Sequence, residues 1–382
     1  MVREYNFFKD IRLNILSILT ILFFFAYLRM YFVGNGIDGY FFYAISVLMA
    51  VIGFFNIGMK WKLSVLLFII VIFITGILNV FFVGNNTISK LMYSLICVGI
   101  VAVLGKNDIS RATFLFSYYM FYLLIGYKMF FKGVQHIFAY SSENYVSVIL
   151  MMPLFLFYSK FESKDEKVPI IHAILYAIIC ILAGGRTGIM IGILLVLGIA
   201  IYNYYFIGKK NKVNKFFVFM IGSIALIVIV FSILENMTVI ANRFTFLEHF
   251  QRSGFSSKSR LAIWSEYYLG AIHNLKSFLL GWDCKNGLLI RAYNGNPHNS
   301  FLNIHMYNGV ILLIILFVMS IRTIILKMKR KQYMFCISFF LFIVRSFFDS
   351  VFWNNYGTVF FMFFILTPYL FDKDVKRKAK VA

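Results

Sequence analysis

The sequence predicts an all-α, polytopic integral membrane protein with about twelve transmembrane helices and one long external loop between spans 9 and 10. Three observations carry this. Hydrophobic residues make up 61% of the 382-residue chain and charged residues only 14%, where a soluble domain carries roughly 25% charged residues. Mean hydropathy is +0.83, more apolar surface than a soluble core can hide. Apolar windows of about 17–25 residues recur along almost the whole chain.

The first window, Leu13 to Val33, is too long for a cleaved signal peptide and lacks a small-x-small cleavage site, so it reads as the first span. Further windows lie near 40–58, 63–83, 88–105, 112–131, 145–159, 168–184, 187–206 and 214–234. Three more follow near 300–326, 333–349 and 353–371. The expected organisation is nine spans within 1–234, a large external loop over 235–299, three spans within 300–371 and a basic cytoplasmic tail at 372–382. No internal repeat and no large soluble domain at either end are expected.

Lys and Arg collect in cytoplasmic loops. Placing the N-terminus inside puts Arg3, Lys9, Arg12, Lys60, Lys62, Lys106, Arg111, Lys160, Lys164 and Lys167 on that side. Lys209, Lys210, Lys212 and Lys215, the Lys327–Lys331 cluster and the Lys373–Lys380 tail join them. Both termini are therefore expected in the cytoplasm. The same assignment explains the net charge of +22 as topology signals and attraction to anionic lipid, not as nucleic-acid binding.

The external loop is net positive on the side where positive charge is usually scarce: Arg243, Arg252, Lys258, Arg260, Lys276, Lys285 and Arg291 face Glu235, Glu248, Glu266 and Asp283. It either attracts an anionic partner such as lipid phosphate or is simply a solvated loop with local ion pairs. Within it, "SKSRLAIWSEYYLGAIHNLKSFLLGWD" predicts an amphipathic helix. Ser259 is its expected N-cap, and Leu261, Trp264, Tyr268 and Ile272 form its stripe. Trp264 and Trp282 are expected as interface anchors, and Gly281 as a turn.

Candidate functional residues gather on the external side. His298 and Asn299, in "GNPHNSFLNIHMYNGVILLI", sit at the mouth of the tenth span. Arg186, in "ILAGGRTGIMIG", occupies the turn between spans seven and eight after two glycines. There its planar fork either grips a phosphate or reaches for the headgroups. Arg345 and Asp349, in "IVRSFFDSVFW", are four apart on one helix face and can pair, structurally or catalytically. Glu143 and Asn144 are weaker candidates of the same kind.

Other chemistries lack their signatures. Cys97, Cys180 and Cys336 lie in spans and Cys284 alone in the external loop, so neither a disulfide framework nor a CxxC site is expected. His298 and His305 have no carboxylates at zinc spacing, and no metal is expected. There is no P-loop, no GxGxxG followed by an acid, and no GxSxG.

"HNSFLNIHMYNG" resembles the H-[NSQ]-x9-G signature of the bacterial O-antigen polymerase and O-antigen ligase superfamily, with His298, Asn299 and Gly309 in the signature positions. Leu312 stands where the family often has glycine, threonine or tyrosine. "GGRTG" looks like the family's mid-chain arginine turn. "SRLAIW...LLGWD" looks like its R-x-x-x-W... GxG segment, with Asp283 in place of the second glycine. The likeness follows the whole topology but rests on these short islands.

The resemblance implies glycosyl transfer from a polyprenyl-diphosphate-linked saccharide at the outer face of the bacterial cytoplasmic membrane. Departing diphosphate develops negative charge that positioned arginines stabilise, a role assigned to Arg186 and Arg260. His298 is the candidate general base for the attacking hydroxyl, an imidazole's ordinary pKa being about 6.5; a purely orienting role would look the same in sequence. Asn299 either orients His298 or caps the tenth helix, and Gly309, Arg345 and Asp349 are supporting residues. Direct displacement inverts the anomeric centre. No cofactor is expected. The expected partners are undecaprenyl-diphosphate-linked oligosaccharides as donor and acceptor, membrane lipid, a chain-length regulator and a flippase.

A repeat-unit polymerase for O-antigen, capsule or exopolysaccharide is the favoured reading, and a ligase moving the finished glycan to a terminal acceptor is its rival. A transporter or lipid-linked oligosaccharide flippase also suits twelve spans, but its charges would more typically lie near the bilayer midplane. An architecture with acidic residues in the first external loop is disfavoured, because "GNGIDG" holds only Asp38.

Overall fold

A computed structural model of the chain describes residues 3–4, 14–33, 36–56, 63–105, 109–139, 142–161, 166–207, 257–353 and 356–370. The expected ninth span (214–234), the first part of the external loop with Glu235, Arg243, Glu248 and Arg252, the Lys209–Lys215 cluster and the tail from 371 lie outside these residues. So do the side chains of Arg3, Lys9, Arg12, Lys60, Lys62, Lys106 and Lys164.

The described fold is all-α apart from one pair of two-residue strands, β1 (Arg3–Glu4) and β2 (Glu166–Lys167), which pair in parallel. The helices before residue 208 are α1 (Ile15–Phe32), α2 (Gly36–Asn56), α3 (Leu63–Phe82), α4 (Ile88–Leu104), α5 (Arg111–Lys132), α6 (Tyr145–Ser159), α7 (Ile171–Leu182) and α8 (Arg186–Ile207). After residue 256 come α9 (Ser257–Ile272), α10 (Leu275–Leu280), α11 (Leu288–Ala292), α12 (Ser300–Lys329), α13 (Tyr333–Phe347) and α14 (Thr358–Leu370).

Six of these, α1, α2, α3, α5, α8 and α12, are long and apolar enough to cross a membrane. α4, α6, α7, α13 and α14 are apolar but shorter, at 12 to 17 residues. The expected windows outside the ninth therefore all fall on apolar helices, although only six reach spanning length among the described residues. Polar side chains start several of them: Asn14, Thr87 and Ser110 accept from backbone N–H groups in the first turns of α1, α4 and α5.

α6 and α14 run through the middle, with nearly every side chain buried. The outer helices show apolar surface instead: α12 buries only 28% of its apolar window and exposes Ile311, Ile314, Phe317, Val318, Ile321 and Ile325. Such a belt is costly in water and favourable in lipid. α2 and α4 cross at Gly53 and Gly99, where an added Cβ at Gly53 would stand 1.9 Å from the Gly99 carbonyl oxygen. Small residues let helix backbones meet closely, the contact that holds helices together where water drives nothing.

Long-range hydrogen bonds sort the connections onto two ends of the bundle. At one end Tyr145 donates to the Ser350 carbonyl, Asn85 to that of Trp282, Arg260 to that of Phe348 and the Ala139 N–H to that of Tyr31. At the other, Arg111 pairs with Glu166 at 2.6 Å, and Asn203 exchanges two bonds with the Val168 backbone. α8 starts at the first end and finishes at the second, whereas α9 begins back at the first.

Candidate functional site

The first end is organised by α9. Ser257 opens this helix, so Ser259 falls in its first turn rather than serving as the cap. Its buried stripe is Ile263, Tyr267 and Ala271. Leu261, Tyr268 and Ile272 of the expected stripe face outward with Leu269, an apolar face suited to a membrane interface. The inward side makes directed contacts. Arg260 Nη1 donates to the Phe348 carbonyl at 2.8 Å and Trp264 Nε1 to the Pro297 carbonyl at 2.8 Å. Glu266 accepts from the N–H groups of Leu288, Leu289 and Ile290, fixing the start of α11. The two tryptophans are half-buried: Trp264 lies edge-on to Phe347, and Trp282 lies against Tyr267.

Those contacts hold the turn that presents His298. Its φ is +50°, a left-handed conformation that few non-glycine residues adopt. Asn296 Oδ1 accepts both the His298 N–H at 2.8 Å and the Ser350 hydroxyl at 2.5 Å. Asn299 follows as the N-cap of α12, accepting from the Phe301 and Leu302 N–H groups while its amide donates to the Phe347 carbonyl at 3.0 Å. Of its two expected roles, it takes the cap. The partly exposed imidazole lies edge-on to Tyr293 and places Nδ1 3.7 Å from Asp349 Oδ1.

Asp349 is the electrostatic centre. α13 ends at Phe347, so Asp349 does not continue that helix as the sequence suggested; it sits just beyond the Phe348 cap, still close enough to pair with Arg345 at 3.3 Å. Arg345 is fully buried and also bonds Ser147 Oγ and the Asn144 carbonyl. Burial alone would raise the Asp349 pKa; the adjoining His298, Arg345 and Arg260 outweigh it and hold the carboxyl at about 2.

Arg186 opens α8 directly after Gly184, whose φ is +72°, and Gly185, which packs against Asn144. Its charge and that of Arg260 act on one another, and Arg260 acts in turn on Asp349. Arg186, Arg260, His298, Asn299, Arg345 and Asp349, drawn from four separated stretches of sequence, therefore belong to one cluster at one end of the bundle. No protein-family model, curated protein or solved structure matches the chain.

Gly309 lies apart from that cluster and has a different task. Its φ of 76° and ψ of −178° break α12, and an added Cβ would stand 1.9 Å from the Leu279 carbonyl oxygen, so α10 packs directly onto the break. Non-helical backbone within an apolar bundle requires replacement partners for its freed carbonyls. Asparagines supply them. Asn79 donates to the carbonyls of Leu280 and Met306, Asn85 to those of Trp282 and Met306, and Asn86 to that of Tyr307. Asn308 bonds Ile72, Thr75 and the indole N–H of Trp353, while His305 bridges Tyr267 and the Phe278 carbonyl. Sequence reasoning missed this clamp; its local signals were polar residues inside apolar spans, Asn79 in the third and His305 and Asn308 in the tenth.

The arrangement supplies a partly exposed imidazole backed by an ionised carboxylate, and near it the Arg186 and Arg260 guanidinium groups. That combination suits accepting a proton while binding an anion. Asp38, which the structure places in the first turn of α2, is buried and paired with Arg29 instead.

Proposed function

We propose that the chain is a multi-pass protein of the bacterial cytoplasmic membrane, with about twelve spans and both termini cytoplasmic, that polymerises undecaprenyl-diphosphate-linked oligosaccharide repeat units at the outer face. The observation that carries this reading is the His298–Asp349 pair set beside Arg186 and Arg260 at a single end of the bundle. A hydroxyl of the acceptor repeat unit attacks the anomeric carbon of the donor. The new glycosidic C–O bond forms as the bond to the diphosphate oxygen breaks, and the configuration inverts. His298 Nε2 takes the hydroxyl proton, while Nδ1 faces Asp349, whose negative charge stabilises the imidazolium. Undecaprenyl diphosphate leaves with the bonding electron pair, and the Arg186 and Arg260 guanidinium groups stabilise its charge. Buried Arg345 keeps Asp349 ionised, and Asn299 fixes the backbone beside His298.

The test is a polysaccharide gel from cells lacking the gene, complemented with wild type or with His298→Ala at equal membrane abundance. Long chains with wild type and single repeat units with the variant are expected. Full-length polymer on its normal anchor with His298→Ala removes the base from the mechanism. Long free polymer lacking its terminal acceptor in the deletion strain favours the ligase reading, and repeat units accumulating on the cytoplasmic side favour a flippase.

A further inference from the structure

A cavity of about 660 Å³ at the same end lies between α9, α10 and the end of α3, away from His298. Phe82, Val83 and Leu269 form its apolar wall, with Trp282 beside them. Its polar lining residues are mixed: one lysine (Lys276), one aspartate (Asp283), His273, Asn274, Asn286 and Ser277. A diphosphate would meet repulsion from Asp283 here, whereas the arginine cluster offers it two cations. Neutral hydroxyl-rich ligands want the reverse, donors and acceptors together with little net charge, beside an apolar surface for their C–H faces.

We propose that this cavity binds the oligosaccharide portion of the lipid-linked substrate or product, remote from the bond being made; the inference rests on the function proposed above. Three features favour it. The lining carries balanced donors and acceptors. The volume falls within the range of about 300–1,000 Å³ typical of ligand sites. The cavity is also rigidly joined to the transfer site, because α9 carries Arg260 near one end and Gly270, a lining residue, ten positions on. At 1.5 Å rise per residue that separation is about 15 Å along the axis, within reach of a short oligosaccharide. The far wall is fixed by the asparagine clamp, since Asn79 and Asn85 hold the carbonyls of Leu280 and Trp282. Glycan held here keeps a growing chain near the arginines between successive transfers.

The test uses the full-length protein in nanodiscs and, as probe, repeat-unit oligosaccharides released by mild acid from the lipid-linked pool of the deletion strain. Binding is measured by calorimetry for wild type, for Lys276→Ala/Asn286→Ala, and for Asp283→Asn, which preserves the Asp283 cap on the Lys285 N–H. Lys276 and Asn286 are exposed, so the double variant leaves the packing intact. At least a tenfold loss of affinity is expected in both variants, with His298→Ala binding as wild type. In cells the same variants shift polymer to shorter lengths while still joining the first units. Wild-type affinity and chain length in both variants overturn the proposal. It is also overturned if the free oligosaccharide does not bind while phosphatidylglycerol in the disc does, with Lys276 required, because the cavity is then a lipid headgroup site. Failure of the polymerase reading shows separately, as wild type that binds glycan but restores no polymer.

Discussion

His298 Nδ1 stands 3.7 Å from Asp349 Oδ1, while the other carboxylate oxygen, Oδ2, takes the buried Arg345 guanidinium at 3.3 Å. One carboxylate thus joins an accessible imidazole to a cation sealed inside the bundle. Asp349→Asn leaves Arg345 without its counter-charge, at a cost of about 3–5 kcal/mol. The expected readout is a lower unfolding temperature in detergent together with loss of polymer.

The pH dependence of that cost has a defined sign. An unfolded aspartate titrates at about 3.9, and Asp349 in the fold at about 2. Its stabilising contribution is therefore complete above about pH 4 and drains away only as pH falls towards 2. The stability gap between wild type and Asp349→Asn should therefore not shrink between pH 8 and pH 5. A gap that closes on acidifying to pH 5 would mean that the carboxyl is not held down.

The break in α12 gives a prediction separate from the chemistry. Gly309→Ala imposes about 1–3 kcal/mol of strain at a backbone conformation essentially reserved for glycine and drives a methyl into the Leu279 carbonyl, displacing α10. Asn79→Ala strips the Leu280 carbonyl of its side-chain donor and removes one of the two on Met306, costing about 1–3 kcal/mol. Both variants should unfold at lower temperature, whereas Leu261→Ala, on the outward face of α9, should not. Equal thermal stability of Asn79→Ala and wild type would show that the clamp carries no weight.

Much of this was legible in the sequence, and the reason is physical. A span is a run of apolar residues, so α1 to α8 and α12 to α14 announce themselves locally. Arg345 and Asp349 were readable as a pair because four residues bring side chains together on or near a helix. The meeting of Asp349 with His298, 51 positions earlier in the chain, was not readable, since only tertiary packing creates it. The clamp escaped for the same reason. "VGNNT" reads as a turn, and nothing local tells that Asn85 and Asn86 serve carbonyls more than two hundred positions away. The partner of Trp264 was equally unreadable, because its indole N–H donates to the Pro297 carbonyl 33 positions on.

Orientation in the membrane is tested with single cysteines in a Cys284→Ser background, where the remaining Cys97, Cys180 and Cys336 are buried. Lys285→Cys and Lys167→Cys both occupy exposed positions at opposite ends of the bundle. A membrane-impermeant maleimide added to intact spheroplasts should label the first and reach the second only after permeabilisation. The reverse pattern would place the His298 cluster in the cytoplasm and end the outer-face account.

The central claim is that this chain alone joins lipid-linked repeat units, using His298 with Arg186 and Arg260. The most direct measurement incubates purified protein in proteoliposomes with undecaprenyl-diphosphate-linked repeat units, and follows chain length and released undecaprenyl diphosphate. The account predicts that wild type yields dimers and longer chains with inverted linkages, one undecaprenyl diphosphate being released per bond. His298→Ala should be slower by about 10²–10⁴-fold, and Arg186→Ala and Arg260→Ala should each be impaired while remaining folded. Unchanged turnover in all three variants, or no joining by folded wild-type protein supplied with its own repeat unit, would contradict it.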